Sequence, residues 1–179
     1  MEEDKRNLVD ELKGLSNEAV KEALAKRRNA LEVAIENVSH DFNAGTIVRN
    51  ANNFNANKVH IIGRHKYNRR GAMCTDKYLE ICYWPSVDEF MADQRARGRE
   101  VVAMENNVPN CQPLAQKAFK MDSTLLFGSE SDGLSEEILA LVDDVRFIES
   151  FGSTRSVNVG VASGIAMYEW ARQNAIGRE

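Results

Sequence analysis

The stretch Phe151–Glu169, FGSTRSVNVGVASGIAMYE, decides how this chain is read. A loop of short hydroxyl and amide side chains runs directly into a helix that begins almost without bulk. Ser153, Thr154, Ser156 and Asn158 supply hydrogen-bonding groups. Gly160, Ala162, Ser163, Gly164 and Ala166 then let another backbone come very close. Glycine inside a helix costs about 1 kcal/mol relative to alanine, so two of them four residues apart need a packing or binding reason. A tight helix–helix contact accounts for Gly160 and Gly164. It does not account for the polar loop before them, which reads as a site.

Upstream of this stretch, short apolar runs alternate with helical periodicity. Strands are expected at Leu31–Ile35, Val59–Ile62, Tyr78–Tyr83, Glu100–Met104, Thr124–Phe127 and Val145–Ile148. Helices are expected at Ala44–Phe54, at Val87–Arg97 closed by Gly98, at Ser135–Val142, and from about Ser156 to Gln173. Residues 4–29 read as helical, with Gly14 as a break and Ser16 or Asn17 as a cap; residues 63–76 and Asn106–Pro113 read as loops. Alternation of this kind implies an α/β fold, a mostly parallel sheet with helices on both faces. In such sheets ligands bind beyond the C-terminal ends of the strands.

The bulk numbers are those of an ordinary globular protein. The chain has 179 residues, enough for one domain with a substantial core, and is 43% hydrophobic and 28% charged. No run of about 18 apolar residues occurs, so no membrane span is expected. The charged start MEEDKRN argues against a signal peptide, and a cytoplasmic location is expected. Cys74, Cys82 and Cys111 are widely spaced without a CxxC, so neither a metal site nor a disulfide framework is expected. The formal net charge of −4 argues against nucleic-acid binding through overall charge. Its distribution matters more. Lys58–Arg70, KVHIIGRHKYNRR, holds five Lys/Arg, two His and no acid, and reads as a segment aimed at a phosphate backbone, with Lys58, Arg64, Lys66, Arg69 and Arg70 as the contacting candidates. Lys26-Arg27-Arg28 is a second basic cluster. Arg95, Arg97 and Arg99 read as a solvated face.

Three polar loops follow strands. The first runs from Glu36 to Gly45 into the helix carrying Arg49, which lies off the apolar face. Arg49 suits a surface ion pair, or a guanidinium presented to phosphate or developing oxyanion charge. Asn43 suits a helix cap. The second loop, Phe127-Gly128-Ser129-Glu130-Ser131-Asp132-Gly133-Leu134, is neither GxGxxG nor a P-loop. Its Glu130 suits capping of nearby amides, or holding a cationic or hydroxyl-bearing ligand. The third is the loop quoted at the start.

In order and spacing these loops resemble the SpoU/TrmH family of SPOUT-superfamily RNA methyltransferases, over about residues 30–173. The matching motifs are Asn43 with Arg49; Gly128, Glu130 and Gly133; and SVNVGVASGI from Ser156, with Gly152 ahead of it. The resemblance implies methyl transfer from S-adenosylmethionine to a ribose 2′-hydroxyl of RNA, with tRNA favoured over rRNA. It also implies a C-terminal trefoil knot that holds the cofactor, and a homodimer. Carried over by position, Arg49 matches the catalytic arginine, and Asn43, Glu130, Ser156 and Asn158 the other polar site residues. Phe127, Gly128, Ile148, Ser156 and Val157 would line the cofactor pocket, largely through backbone groups. Where the family usually has Ile-Pro-Met, this chain has Ile148-Glu149-Ser150, which loses a rigid turn and adds a charge. Residues 1–30 are expected as a helical extension on a methyltransferase domain of residues 31–179, lending Lys26, Arg27 and Arg28 to RNA contact. Two other readings stand beside this one: a non-catalytic RNA-binding module with the same fold, and an enzyme that methylates a base.

Overall fold

A computed structural model describes residues 4–37, 43–64 and 66–177, Asn37 by its backbone alone. Residues 38–42 of the first polar loop, and His65 of the basic stretch, lie outside the described residues. The strands are β1 (Glu32–Asn37), β2 (Lys58–Gly63), β3 (Ile81–Trp84), β4 (Val101–Met104), β5 (Gln112–Pro113), β6 (Thr124–Phe127) and β7 (Asp144–Phe147). They form one sheet in the order β3-β2-β1-β6-β4-β7-β5, and every pairing is parallel. The helices are α1 (Asn17–Ala25), α2 (Asn43–Asn53), α3 (Val87–Ala96), α4 (Glu136–Leu139) and α5 (Val159–Asn174).

The period-two alternation of strand side chains builds two cores. Val33, Ile35, Val102, Leu125 and Phe127 pack with Ile47, Val48 and Ala51 of α2 and Met167 and Trp170 of α5. Ala34, Val101, Ala103 and Leu126 pack with Phe90 and Met91 of α3 and Ile138 of α4. Each central strand is therefore covered on both faces, as parallel strands require.

Several elements differ from the sequence expectation. The segment expected as a plain loop over residues 63–76 contains two 3-10 turns, Arg69–Ala72 and Thr75–Tyr78, so Tyr78 belongs to a turn and β3 starts only at Ile81. α4 spans four residues, and α5 begins at Val159, leaving Ser156 in the loop before it. β5 lies in what reads as loop; its proline sits at the sheet edge, the place where a strand tolerates a missing N–H. Of the arginines read as a solvated face, Arg95 and Arg97 are exposed and Arg99 is half-buried, but Arg97 and Arg99 are not free on that face. Both reach the fully buried Glu32 of β1, Arg97 with N–O distances of 2.9 and 2.8 Å and Arg99 at 3.2 Å.

The N-terminal segment leans on the sheet domain. A 3-10 turn at Asp10–Leu12 and α1, capped by Ser16, bury Leu12 and Val20 with Tyr78. Arg28 donates to the backbone oxygens of Asn57 (2.6 Å) and Tyr78 (3.0 Å), and Arg27 pairs with Glu11. Two of the three cations expected to meet RNA are thus engaged within the protein.

Candidate active site

The site gathers where β1, β4, β6 and β7 end. After β6 the chain turns at Gly128, where a Cβ would stand 2.3 Å from the Gly133 carbonyl oxygen and 2.6 Å from Leu134 N. Contacts that short leave room only for glycine. Ser129 and Gly133 close the loop by exchanging backbone hydrogen bonds of 3.1 and 3.0 Å. Gly133 takes φ +69°, and Ser135 then caps α4 while its own N–H donates to buried Glu36 at 2.8 Å. The result is a small closed loop with Glu130 exposed on it.

α5 delivers the second component. The side-chain oxygen of Asn158 accepts from Gly160 N (2.9 Å) and Val161 N (3.3 Å), capping the helix. Its Nδ2 donates to Asn43 Oδ1 at 3.0 Å and to Glu130 Oε1 at 3.1 Å. Because Oδ1 must face two backbone donors, the amide cannot flip, and both Nδ2 protons are aimed outward at the site. Asn43 Nδ2 donates to the other Glu130 oxygen. Three residues, at the start of α2, in the loop after β6 and at the cap of α5, therefore form one closed hydrogen-bonded cluster. Asn43 turns its side chain to that cluster rather than serving only as a helix cap, and Glu130 receives two amides.

α2 is held against α5 closely enough for this to work. A Cβ at Gly160 would lie 2.9 Å from Thr46 Cγ2, and Asn50 Nδ2 donates to Gly160 O and Ser163 Oγ, both at 2.9 Å. The tight-contact reading of the glycine pair therefore holds at Gly160. Asn50 had no distinguishing signal in a tract of five asparagines. The N-terminal turn of α2 also meets the basic segment closely: a Cβ at Gly45 would stand 2.6 Å from Asn68 O, and one at Gly71 2.8 Å from Thr46 N.

Arg49 projects from α2 into solvent and makes no hydrogen bond or ion pair with any described residue. It stands outside the cluster. Among the basic candidates, Arg64, Lys66, Arg69 and Arg70 follow the C-terminal end of β2, all exposed. Arg69 pairs with buried Asp76. Lys58 lies at the opposite end of β2 and pairs with Glu80 at 3.0 Å, away from the other four.

The cluster borders a hollow of about 570 Å³, walled by the loops after β4, β6 and β7 and the start of α5. Gly128, Ile148, Ser156 and Val157 line it, as do Glu130 and Asn158. Phe127 is fully buried in the core and is not among the lining residues. Four carboxylates, Glu105, Glu130, Asp132 and Glu136, border the hollow; Arg146, also on the wall, is spent on Asp144 at 3.1 Å. A second hollow of about 680 Å³ adjoins it behind Phe147 and Ile148. Glu105 escaped the sequence reading, since a lone acid after a strand carries no local signal. No group of metal-ligating side chains occurs among the described residues, and no described helix is long and apolar enough to cross a membrane.

A parallel α/β sheet whose strand ends carry a polar cluster beside a large, acid-rimmed hollow defines a ligand-binding protein of the open-sheet class. The chain belongs to the SpoU rRNA Methylase family, whose model matches residues 30–168. It is similar to a tRNA (guanosine(18)-2'-O)-methyltransferase of Thermus thermophilus, 28% identical over 162 residues, covering 86% of this chain and 80% of the relative. Its fold matches the solved A. aeolicus TrmH/SpoU tRNA modifying enzyme with a TM-score of 0.76 and 26% identity, over 88% of this chain and 81% of the other. It also matches the SpoU methyltransferase AviRb from Streptomyces viridochromogenes, solved in complex with the cofactor AdoMet (TM-score 0.70, 25% identity, 84% of this chain and 60% of the other). The chain is an RNA methylase of that family.

Proposed function

We propose that this protein transfers a methyl group from S-adenosylmethionine to a ribose 2′-hydroxyl of RNA, with tRNA as the substrate class. The observation that carries the reading is the closed Asn43–Glu130–Asn158 cluster, which joins all three motif loops at the rim of one hollow. The hollow suits the cofactor in size and in charge. Its volume lies in the range for a nucleoside-sized ligand, Gly128 leaves backbone exposed without a Cβ, and the four bordering carboxylates favour a cation such as a sulfonium. Gly128, Ile148, Ser156 and Val157 would hold it. When bound, it supplies an electrophilic methyl group.

The chain's own residues supply orientation and charge. Asn43 and Asn158 fix both oxygens of Glu130, so its carboxylate has one orientation when the ribose arrives. Ser156, which lines the same hollow, would offer its hydroxyl to the ribose. A guanidinium carries N–H donors and no acceptor, so the role of Arg49 is to donate to a phosphate or to the developing alkoxide and not to accept the proton. Holding the hydroxyl in line with the methyl removes much of the entropic barrier. Arg64, Lys66 and Arg70 are proposed to carry phosphates of the RNA. A C-terminal trefoil knot, an extension of residues 1–30 bracing the sheet domain, a cytoplasmic location and catalysis without a metal belong to the same proposal. So does a homodimer: Val161, Ile165 and Tyr168 fall on one stripe of α5 and are all exposed.

The test is methyl transfer from tritiated S-adenosylmethionine to total tRNA and, separately, rRNA, with digestion to nucleosides. Label is expected in a 2′-O-methylnucleoside from tRNA, and Arg49→Ala is expected to lower the rate about 100-fold or more, the cost of losing one oxyanion donor. Label in a base would refute ribose chemistry, and unlabelled RNA of both kinds would favour a non-catalytic RNA-binding module.

A further inference from the structure

Glu105 follows β4 and takes no part in the Asn43–Glu130–Asn158 cluster, yet its carboxylate, on the wall of the hollow, accepts three backbone hydrogen bonds. Its Oε1 accepts from the backbone N–H of Asn106 at 2.9 Å and of Asn107 at 3.3 Å. Its Oε2 accepts from Leu134 N at 3.2 Å, across a separation of 29 residues. A Cβ at Gly133 would stand 2.5 Å from that same Oε2, so the loop after β6 carries a glycine at the place where the carboxylate arrives. The next residue continues the connection: Asn106 Nδ2 donates to Arg155 O at 2.7 Å, in the loop that leads to Ser156. The loops after β4, β6 and β7 are all walls of the 570 Å³ hollow. Glu105 and Asn106 thus join the β4 loop to both of the others by side-chain hydrogen bonds.

We infer that Glu105 is a positioning residue for the cofactor, a clasp that sets the width of the hollow by tying the β4 loop to the β6 loop, with Asn106 extending the tie to the β7 loop. This rests on the cofactor reading above. The physical reason is preorganisation. Loops held at the bound spacing before the ligand arrives do not lose further freedom on binding. The clasp uses one charged group to satisfy three backbone donors, which makes its hydrogen bonds stronger than neutral ones. A carboxamide has one acceptor oxygen and can keep only one arm of the clasp; a methyl keeps neither.

Glu105→Ala and Glu105→Gln are compared with the intact chain by three measurements. Amide hydrogen exchange without ligand is expected to show Asn106 and Leu134 protected in the parent, both exposed in Glu105→Ala, and one of them retained in Glu105→Gln. Calorimetry with S-adenosylmethionine is expected to show binding weakened about tenfold or more in Glu105→Ala and by less in Glu105→Gln. Steady-state kinetics is expected to raise KM for the cofactor while KM for RNA stays within about twofold of the parent, a split that general loosening of the fold would not give. Cofactor binding by Glu105→Ala equal to that of a parent that does bind would overturn the clasp alone. A parent that binds no S-adenosylmethionine would overturn the function proposed above and the clasp's cofactor role with it, whatever the exchange pattern.

Discussion

Glu32 carries a full charge inside the sheet, and its surroundings explain how. The Trp84 indole N–H donates to His60 Nδ1 at 2.9 Å, which leaves the ring proton on Nε2, 2.9 Å from Glu32 Oε2. Asn57 donates to Oε1 at 3.0 Å, and Arg97 and Arg99 close the remaining directions. Burial pushes the Glu32 carboxyl pKa up, but the hydrogen bonds from His60 and Arg97 and the Arg99 charge outweigh it and hold the group well below the ordinary 4.5. A lowered folded pKa adds stability that is complete above pH 4.5 and drains away as acid protonates the group below that value. Glu32→Gln is expected to cost about 3–5 kcal/mol near neutrality, because Arg99 loses the carboxylate it pairs with and Arg97 keeps only Asp93. Urea midpoints should show the gap between parent and variant narrowing as pH falls below 4.5; a constant gap would refute the assignment. The same residues show what local pattern cannot carry. Arg97 and Arg99 look like a solvated face in sequence, since their shared partner Glu32 lies on β1, 65 residues before Arg97. Asn43, Glu130 and Asn158 are singled out through the resemblance of their motifs to a known family; by local pattern alone Asn43 and Glu130 suit capping equally well.

Among the elements, α5 gives the sharpest test, since its two glycines face different surroundings. A Cβ at Gly160 meets Thr46, a side chain stiff at χ1, at 2.9 and 3.1 Å. At Gly164 the nearest atom is Asn50 Nδ2 at 3.4 Å, an ordinary contact. Gly160→Ala should therefore lower stability by about 1–3 kcal/mol through overpacking, less the gain in helix propensity, and should loosen the cap that orients Asn158. Gly164→Ala should be neutral or stabilising by up to about 1 kcal/mol. Thermal melts of the pair would decide it, and equal effects at both positions would mean that the contact of α2 with α5 is not what requires glycine. Element boundaries were readable to a comparable degree. β6 matches its expected span, because four consecutive buried residues are fixed by the core on both faces. β5, two residues with a proline, has no hydrophobic pattern to read; its pairing to β7 comes from tertiary placement. α4 is cut to four residues because the chain must turn at once into β7.

For the whole molecule, the stripe of Val161, Ile165 and Tyr168 is the surface whose covering matters, with exposures of 53%, 39% and 54%. If a second copy covers it, sedimentation velocity should find a dimer, and Ile165→Glu should convert it to a folded monomer with an unchanged melting profile at low concentration. A parent that sediments as a monomer at all concentrations would remove the homodimer from the proposal. Another consequence follows from how the sheet is threaded. β1 sits between β2, its neighbour in sequence, and β6, which the chain reaches some ninety residues later. Asn158 and Asn43, whose amides meet, are 115 residues apart. Contacts of such long range make folding slow. During synthesis the first half of the chain emerges with one edge of β1 unpaired, and the proposed site is complete only with the last helix. Truncated or stalled products would therefore be inactive and prone to edge-to-edge association, which makes completion of the chain itself a checkpoint on activity.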